Sequence, residues 1–306
     1  MDAFSDRLAS SIGTRRTPVL VGLDPRAGSL PAGMLASPDS ASPTEVATAY
    51  SRFCRAVIDV VAPLVPAVKP QAAFFEELGP AGMIALAEVI THAREKNLLV
   101  ILDAKRNDIG STATAYAHGM LGTDSPWGAD CMTVSPYLGA DSLQPFVDVA
   151  VERGAGVFVL VKTSNPGGGM LQDLECDGAT VYEHVARYVE DRAAETAAAC
   201  GFGAIGAVVG ATYPDQLTEL RERMPHAWIL VPGFGSQGGT ARDVAGAFDS
   251  RGLGALVNNS RGIIFAHSRK PYNERFGDAR WQESVEAATL DMIEQLRAET
   301  LAGKLG

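Results

Sequence analysis

Short, nearly continuous apolar runs rich in Val, Ile and Leu recur along the chain. Each gives way to a polar loop and then to a stretch with apolar residues at helical spacing. The runs fall at 19–23, 67–69, 98–103, 131–135, 157–162, 204–209, 228–231 and 255–258. They do not alternate apolar with polar positions, as expected of parallel strands buried on both faces. Helices are predicted at 44–64, 82–96, 112–120, 142–153, 179–199, 214–223, 240–247 and 282–300. Ser42 or Thr44 can cap the first, with Pro43 near its start. A further helix at 2–11 would cover the bottom of a barrel. Eight strand–helix units in one chain favour a closed (β/α)8 TIM barrel, an α/β fold, over an open doubly wound sheet. No GxGxxG opens the first unit, which weakens a dinucleotide-binding reading. No linker or low-complexity tract divides the chain, so residues 1–306 read as a single barrel domain. Two long loops stand out, 27–43 after the first strand and 165–178 after the fifth. Loops of that length are uncommon unless functional or mobile.

Composition narrows the function. Hydrophobic residues at 46% and charged residues at 20% suit a globular protein with a sizeable core. A net charge of −10 argues against a nucleic-acid partner, which needs a basic surface. It leaves room for a small phosphorylated ligand, because a few local cations suffice. Cys54, Cys131, Cys176 and Cys200 show no CxxC spacing, so a zinc knuckle or dithiol motif is not expected. Cys54 and Cys131 lie in apolar stretches and read as core. The first 18 residues lack the apolar run of a signal peptide. No segment has the ~20 consecutive apolar residues of a membrane span. These features predict a soluble cytoplasmic protein with no membrane partner.

Reactive groups of a parallel barrel gather at the C-terminal ends of its strands. Strand one ends at Asp24, strand two at Lys69, and strand three runs into Asp103-Ala-Lys105-Arg-Asn-Asp108. Asp103 and Lys105 are two apart and should point the same way. With Asp24 and Lys69 they would form an alternating array of carboxylates and ammonium groups. The bland alternative is a structural ion-pair network at the barrel mouth. A second signal lies after strands seven and eight, the usual phosphate site of this barrel class. Strand seven leads into Pro232-Gly-Phe-Gly-Ser-Gln237-Gly-Gly and then the helix predicted at 240–247, whose N-terminus would favour an anion. Strand eight leads into Ser260 and Arg261, whose planar fork suits phosphate oxygens. No metal site is expected: none of the five histidines recurs at ligand spacing, and Lys69 and Lys105 would repel a cation.

At these residues the chain resembles the orotidine 5′-phosphate decarboxylase family, specifically its longer bacterial type. The resemblance runs through VGLDPR, VKPQAAFFE, DAKRNDIGST, TVSPYLG, VKTSNPG, VVGAT, VPGFGSQGG and NNSRGI. It implies a cofactor-free enzyme that converts orotidine 5′-phosphate to UMP and CO2 in de novo pyrimidine synthesis. Lys105 would protonate C6 of the pyrimidine, and Asp103 would lie against the departing carboxylate. Lys69 and Asp24 would complete the network and hold the ribose hydroxyls. Asp108 would reach the partner's site across a homodimer with shared active sites, with Thr112 near the ribose of that site. Ser164 would meet the pyrimidine amide edge, and Gln237 and Arg261 would grip the phosphate beside Pro232. Compact members often have Gly before that arginine; here it is Ser260. The alternatives are a Mg2+-dependent sugar-phosphate decarboxylase of the same suprafamily, a Schiff-base aldolase using Lys105 or Lys162, and a non-catalytic nucleotide-binding protein.

Overall fold

A computed structural model describes residues 2–235 and 238–305. Eight parallel strands close into a barrel. They are β1 (Val19–Leu23), β2 (Ala67–Pro70), β3 (Leu99–Arg106), β4 (Cys131–Val134), β5 (Gly156–Lys162), β6 (Ile205–Val209), β7 (Ile229–Val231) and β8 (Ala255–Asn259). Each strand pairs with its neighbours in sequence, and β8 closes onto β1 through Val19 opposite Val257 and Leu20 opposite Asn258. The (β/α)8 expectation is met.

Apart from the register shifts near the ends of β3 and β5, every second strand residue faces the barrel interior. The lower interior is apolar: Leu20, Ala67, Ile101, Cys131, Phe158 and Leu256 cluster there with Phe4, Leu8 and Ile12. Those last three are spaced by four residues along the helix Phe4–Arg15, so they share one face and plug the bottom. The plug is longer than the predicted 2–11. Gly156 permits it, because a Cβ there would lie 2.3 Å from the Phe4 ring. Each fully buried side chain of this size contributes about 1.5–3 kcal/mol. On β5, β6 and β7 the same inward face stays apolar further up, at Leu160, Val208 and Leu230, but on the other five strands it changes character. Leu20 gives way to Gly22 and Asp24, Ala67 to Lys69 and Gln71, Ile101 to Asp103, Cys131 to Thr133, and Leu256 to Asn258. One periodicity therefore builds an apolar plug below and a polar mouth above.

Helices cover the outside. Pro43–Val61 starts at Ser42, whose hydroxyl accepts from Glu45 N while Glu45 reaches back to Ser42 N. Ser42 rather than Thr44 is thus the cap. Val181–Glu195 starts on the same device at Thr180, two residues later than predicted. The 165–178 loop is partly ordered, with the one-turn helix Gly169–Gln172 and a hairpin pairing Glu175–Cys176 with Ala179–Thr180.

The helix predicted at 240–247 is not formed. Turns and the 3-10 segment Ala245–Ala247 take its place. Asp243 Oδ2 accepts from Thr240 N and Oγ1 at 2.8 and 2.7 Å, a local bond that competes with helix. Gly246 presses against the helix Pro214–Arg223, where a Cβ would come within 2.0 Å of Thr218 Oγ1. Among the described residues no helix is long and apolar enough to cross a membrane.

Candidate active site

A cavity of about 530 Å3 opens at the C-terminal end of the barrel. Its lining includes Asp24, Lys69, Asp103, Lys105, Ser164, Pro232, Ser260 and Arg261. Asp103 is the hub. Its Oδ2 accepts from Lys69 Nζ and Gln71 Nε2, both at 2.9 Å. Its Oδ1 accepts from Lys105 Nζ at 2.5 Å and Thr133 Oγ1 at 2.9 Å. Burial alone would raise the Asp103 pKa, but the Lys69 and Lys105 charges and hydrogen bonds outweigh it. They hold the carboxyl far below the usual carboxylate range. Lys69 shows the same contest with opposite sign. Its burial favours the neutral amine, yet the Asp103 and Asp24 charges and the Asp103 bond hold it above the ordinary lysine value. The hub is therefore an anion between two cations, fixed from both sides.

Lys105 reaches Asp103 by a backbone irregularity. The β3–β4 register shifts between Leu102 and Arg106, and Lys105 has φ of 47°. A left-handed, non-glycine residue costs about 1–3 kcal/mol and persists only where its surroundings impose it. Here Lys105 N donates to Thr133 Oγ1 at 2.9 Å, and the same hydroxyl donates on to Asp103. Across this irregularity the Lys105 side chain still meets Asp103 at the cavity. Whereas Lys69 is 5% exposed in its side chain, that of Lys105 is 46% exposed and can meet a ligand.

Among the described residues, Asp24 Oδ1 and Asn258 Oδ1 on the cavity lining are buried without a hydrogen-bond partner. Unpartnered buried acceptors are costly, so each marks a place where a ligand donor fits. Gln71, Thr133 and Asn258 were not singled out from the sequence. All three lie on the inward period-two face that carries the charged residues.

On the opposite wall, Pro232, Gly233 and Phe234 of the β7 loop face Ser260 and Arg261. The loop turns tightly, with Gly235 at φ 70° and its N–H donating to Gly239 O at 2.8 Å. Among the described residues no helix follows it, so the helix N-terminus expected to favour an anion here is absent, and Arg261 supplies a cation on this wall. Gln237 lies outside the described residues. Asp108 and Thr112 do not belong to the described lining of this cavity. Asp108 has left the strand, and its Oδ1 accepts from Ile109 N at 2.8 Å. The helix Gly110–Met120 has no side-chain cap. Lys162 is also outside the described lining; it is buried and ion-paired to Asp173. Among the described residues no three His, Cys, Asp or Glu side chains group so as to hold a metal ion.

Residues 17–274 match the model of the orotidine 5′-phosphate decarboxylase / HUMPS family. An orotidine 5′-phosphate decarboxylase of Rhodopirellula baltica is 56% identical over 301 residues, covering 97% of this chain and 100% of that protein. One of Deinococcus radiodurans is 43% identical over 264 residues, covering 86% of this chain and 89% of its own length. The solved structure of Leishmania donovani OMP decarboxylase superimposes with a TM-score of 0.75 at 33% identity, covering 98% of this chain and 99% of that one.

Proposed function

The chain belongs to the orotidine 5′-phosphate decarboxylase / HUMPS family, and on that premise we propose that the Lys69–Asp103–Lys105 network performs its chemistry. The reaction is the decarboxylation of orotidine 5′-phosphate to UMP and CO2, a step of pyrimidine biosynthesis. The observation that carries the residue assignment is Asp103 held between two ammonium groups at the floor of the cavity.

When the C6–carboxylate bond breaks, its electron pair stays in an orbital in the plane of the ring. That orbital cannot delocalise into the π-system, so a charge placed beside C6 must stabilise it. Lys105 Nζ supplies that charge and then gives C6 a proton, leaving a neutral amine that solvent reprotonates. Asp103 aims Lys105 and stays ionised while doing so. As a fixed anion beside the substrate carboxylate, it also favours the departure of CO2 as a neutral molecule. Lys69 keeps Asp103 anionic and, with Asp24 Oδ1 and Asn258 Oδ1 as open acceptors, receives the ribose hydroxyls. Ser164 meets the pyrimidine edge. Arg261 and Gln237 take the phosphate, with Pro232 and Ser260 beside Arg261 on the cavity wall.

Asp108 and Thr112 serve the site of a second copy in a homodimer. Support comes from their place outside the described lining of their own cavity and from exposed apolar side chains on the segments that follow β3 and β4. Ile109 is 57% exposed and Tyr137, after β4, is 73% exposed. Exposed apolar groups of that size suit an interface. All four cysteines are free thiols, which fits a cytoplasmic setting.

The direct test is a spectrophotometric assay of orotidine 5′-phosphate turnover in excess EDTA. Undiminished turnover is expected, since Lys69 and Lys105 already neutralise Asp103. A strict requirement for Mg2+ would overturn the cation assignment and favour sugar-phosphate decarboxylase chemistry. Arg261→Ala should lower kcat/KM by about 2–5 kcal/mol, the loss usual when one partner of a buried charge pair is removed. Phosphite dianion or a guanidinium additive should restore part of it. An unchanged kcat/KM would place the phosphate elsewhere.

A further inference from the structure

Lys162 is a buried cation that the chemistry above does not use. It ends β5 and is 2% exposed. Its Nζ lies 4.7 Å from the centre of the Tyr213 ring and 5.1 Å from that of Tyr182, and it is ion-paired with Asp173. A buried ammonium is tolerated only with compensating partners, and the rings and the carboxylate provide them. Asp173 belongs to the segment after β5 that forms one wall of the cavity, where Ser164, Gly168, Leu171 and Gln172 face the interior. Gln172 ties that wall to its own root: Oε1 accepts from Thr163 N at 3.0 Å and Nε2 donates to Thr163 Oγ1 at 2.7 Å. At its far end the segment enters the helix Val181–Glu195 through Thr180, and Tyr182 of that helix packs on Lys162. The charge at the barrel rim thus grips the middle of the segment and the helix behind it at one point.

We propose that Lys162 is a positioning residue: through Asp173 it fastens the wall that carries Ser164 over the cavity, so the nucleotide does not have to order that wall itself. This explains a lysine at a strand end that faces away from the cavity, and it leaves Lys162 without the open approach a Schiff base requires. The proposal rests on the cavity being the nucleotide site.

The test uses Asp173→Asn, Lys162→Met and the double variant in the full chain, with UMP affinity by calorimetry beside steady-state kinetics. The Asp173 side chain is half-exposed, so Asp173→Asn should keep the wild-type melting temperature. It should nevertheless weaken UMP binding and raise KM by roughly 10-fold or more, with a much smaller change in kcat. Lys162→Met should do the same, and the double variant should be no worse than the weaker single. Asp173→Glu should recover most of the loss. UMP affinity and KM within twofold of wild type for Asp173→Asn, or single effects that simply multiply in the double variant, would overturn the latch. Wild-type turnover and UMP binding, measured alongside, report separately on whether the cavity is the nucleotide site.

Discussion

Lys105→Ala is expected to lower kcat by at least about 10^4-fold, because on the proposed assignment one substitution removes both the cation beside the developing carbanion and its proton donor. KM should change far less, since the proposed phosphate and ribose contacts lie on other residues. The fold should survive. The Lys105 side chain is 46% exposed, and Asp103 keeps Lys69, Gln71 and Thr133 as donors. Rapid-mixing assays on the variant, with UMP affinity measured in parallel, check both halves. A kcat within tenfold of wild type would remove Lys105 from the reaction. A collapse of UMP binding together with kcat would instead make it a binding residue.

The barrel was legible because near-continuous apolar runs have few stable arrangements other than parallel strands covered on both sides. The ends of those strands then located Asp24, Lys69, Asp103 and Lys105 by their charge alone. Gln71, Thr133 and Asn258 were passed over because they are neutral, although counting by two from Ala67, Cys131 and Leu256 leads to them. The left-handed backbone at Lys105 had no sequence mark: no glycine or asparagine stands there, and Thr133 from the next strand enforces it. The 240–247 stretch failed as a helix because Ala241, Val244 and Ala247 are buried at helical spacing by a run of turns. Gly246 seats that run against the neighbouring helix. Lys162 reads from the sequence as a possible nucleophile, because its partner Asp173 stands eleven residues on, within a segment that reads only as a loop.

Mixing two nearly inactive proteins, Asp108→Asn and Lys105→Ala, is expected to regenerate activity. Within one chain Asp108 is three residues beyond Lys105, its carboxylate is turned to Ile109 N, and it does not belong to the described lining of its own cavity. If it completes the partner's site, a mixed dimer of the two variants holds one site with both defects and one with neither. Random exchange of subunits at equal concentrations makes half of the dimers mixed, and half of the sites in those dimers are intact. Activity should therefore rise to about one quarter of the wild-type value per site, as two-fold symmetric sharing requires. The rise should follow the time course of subunit exchange, measured independently with fluorophore-labelled chains, and should vanish if the chains are cross-linked before mixing. Complete exchange without recovery would mean that Asp108 serves its own chain's site or no site at all.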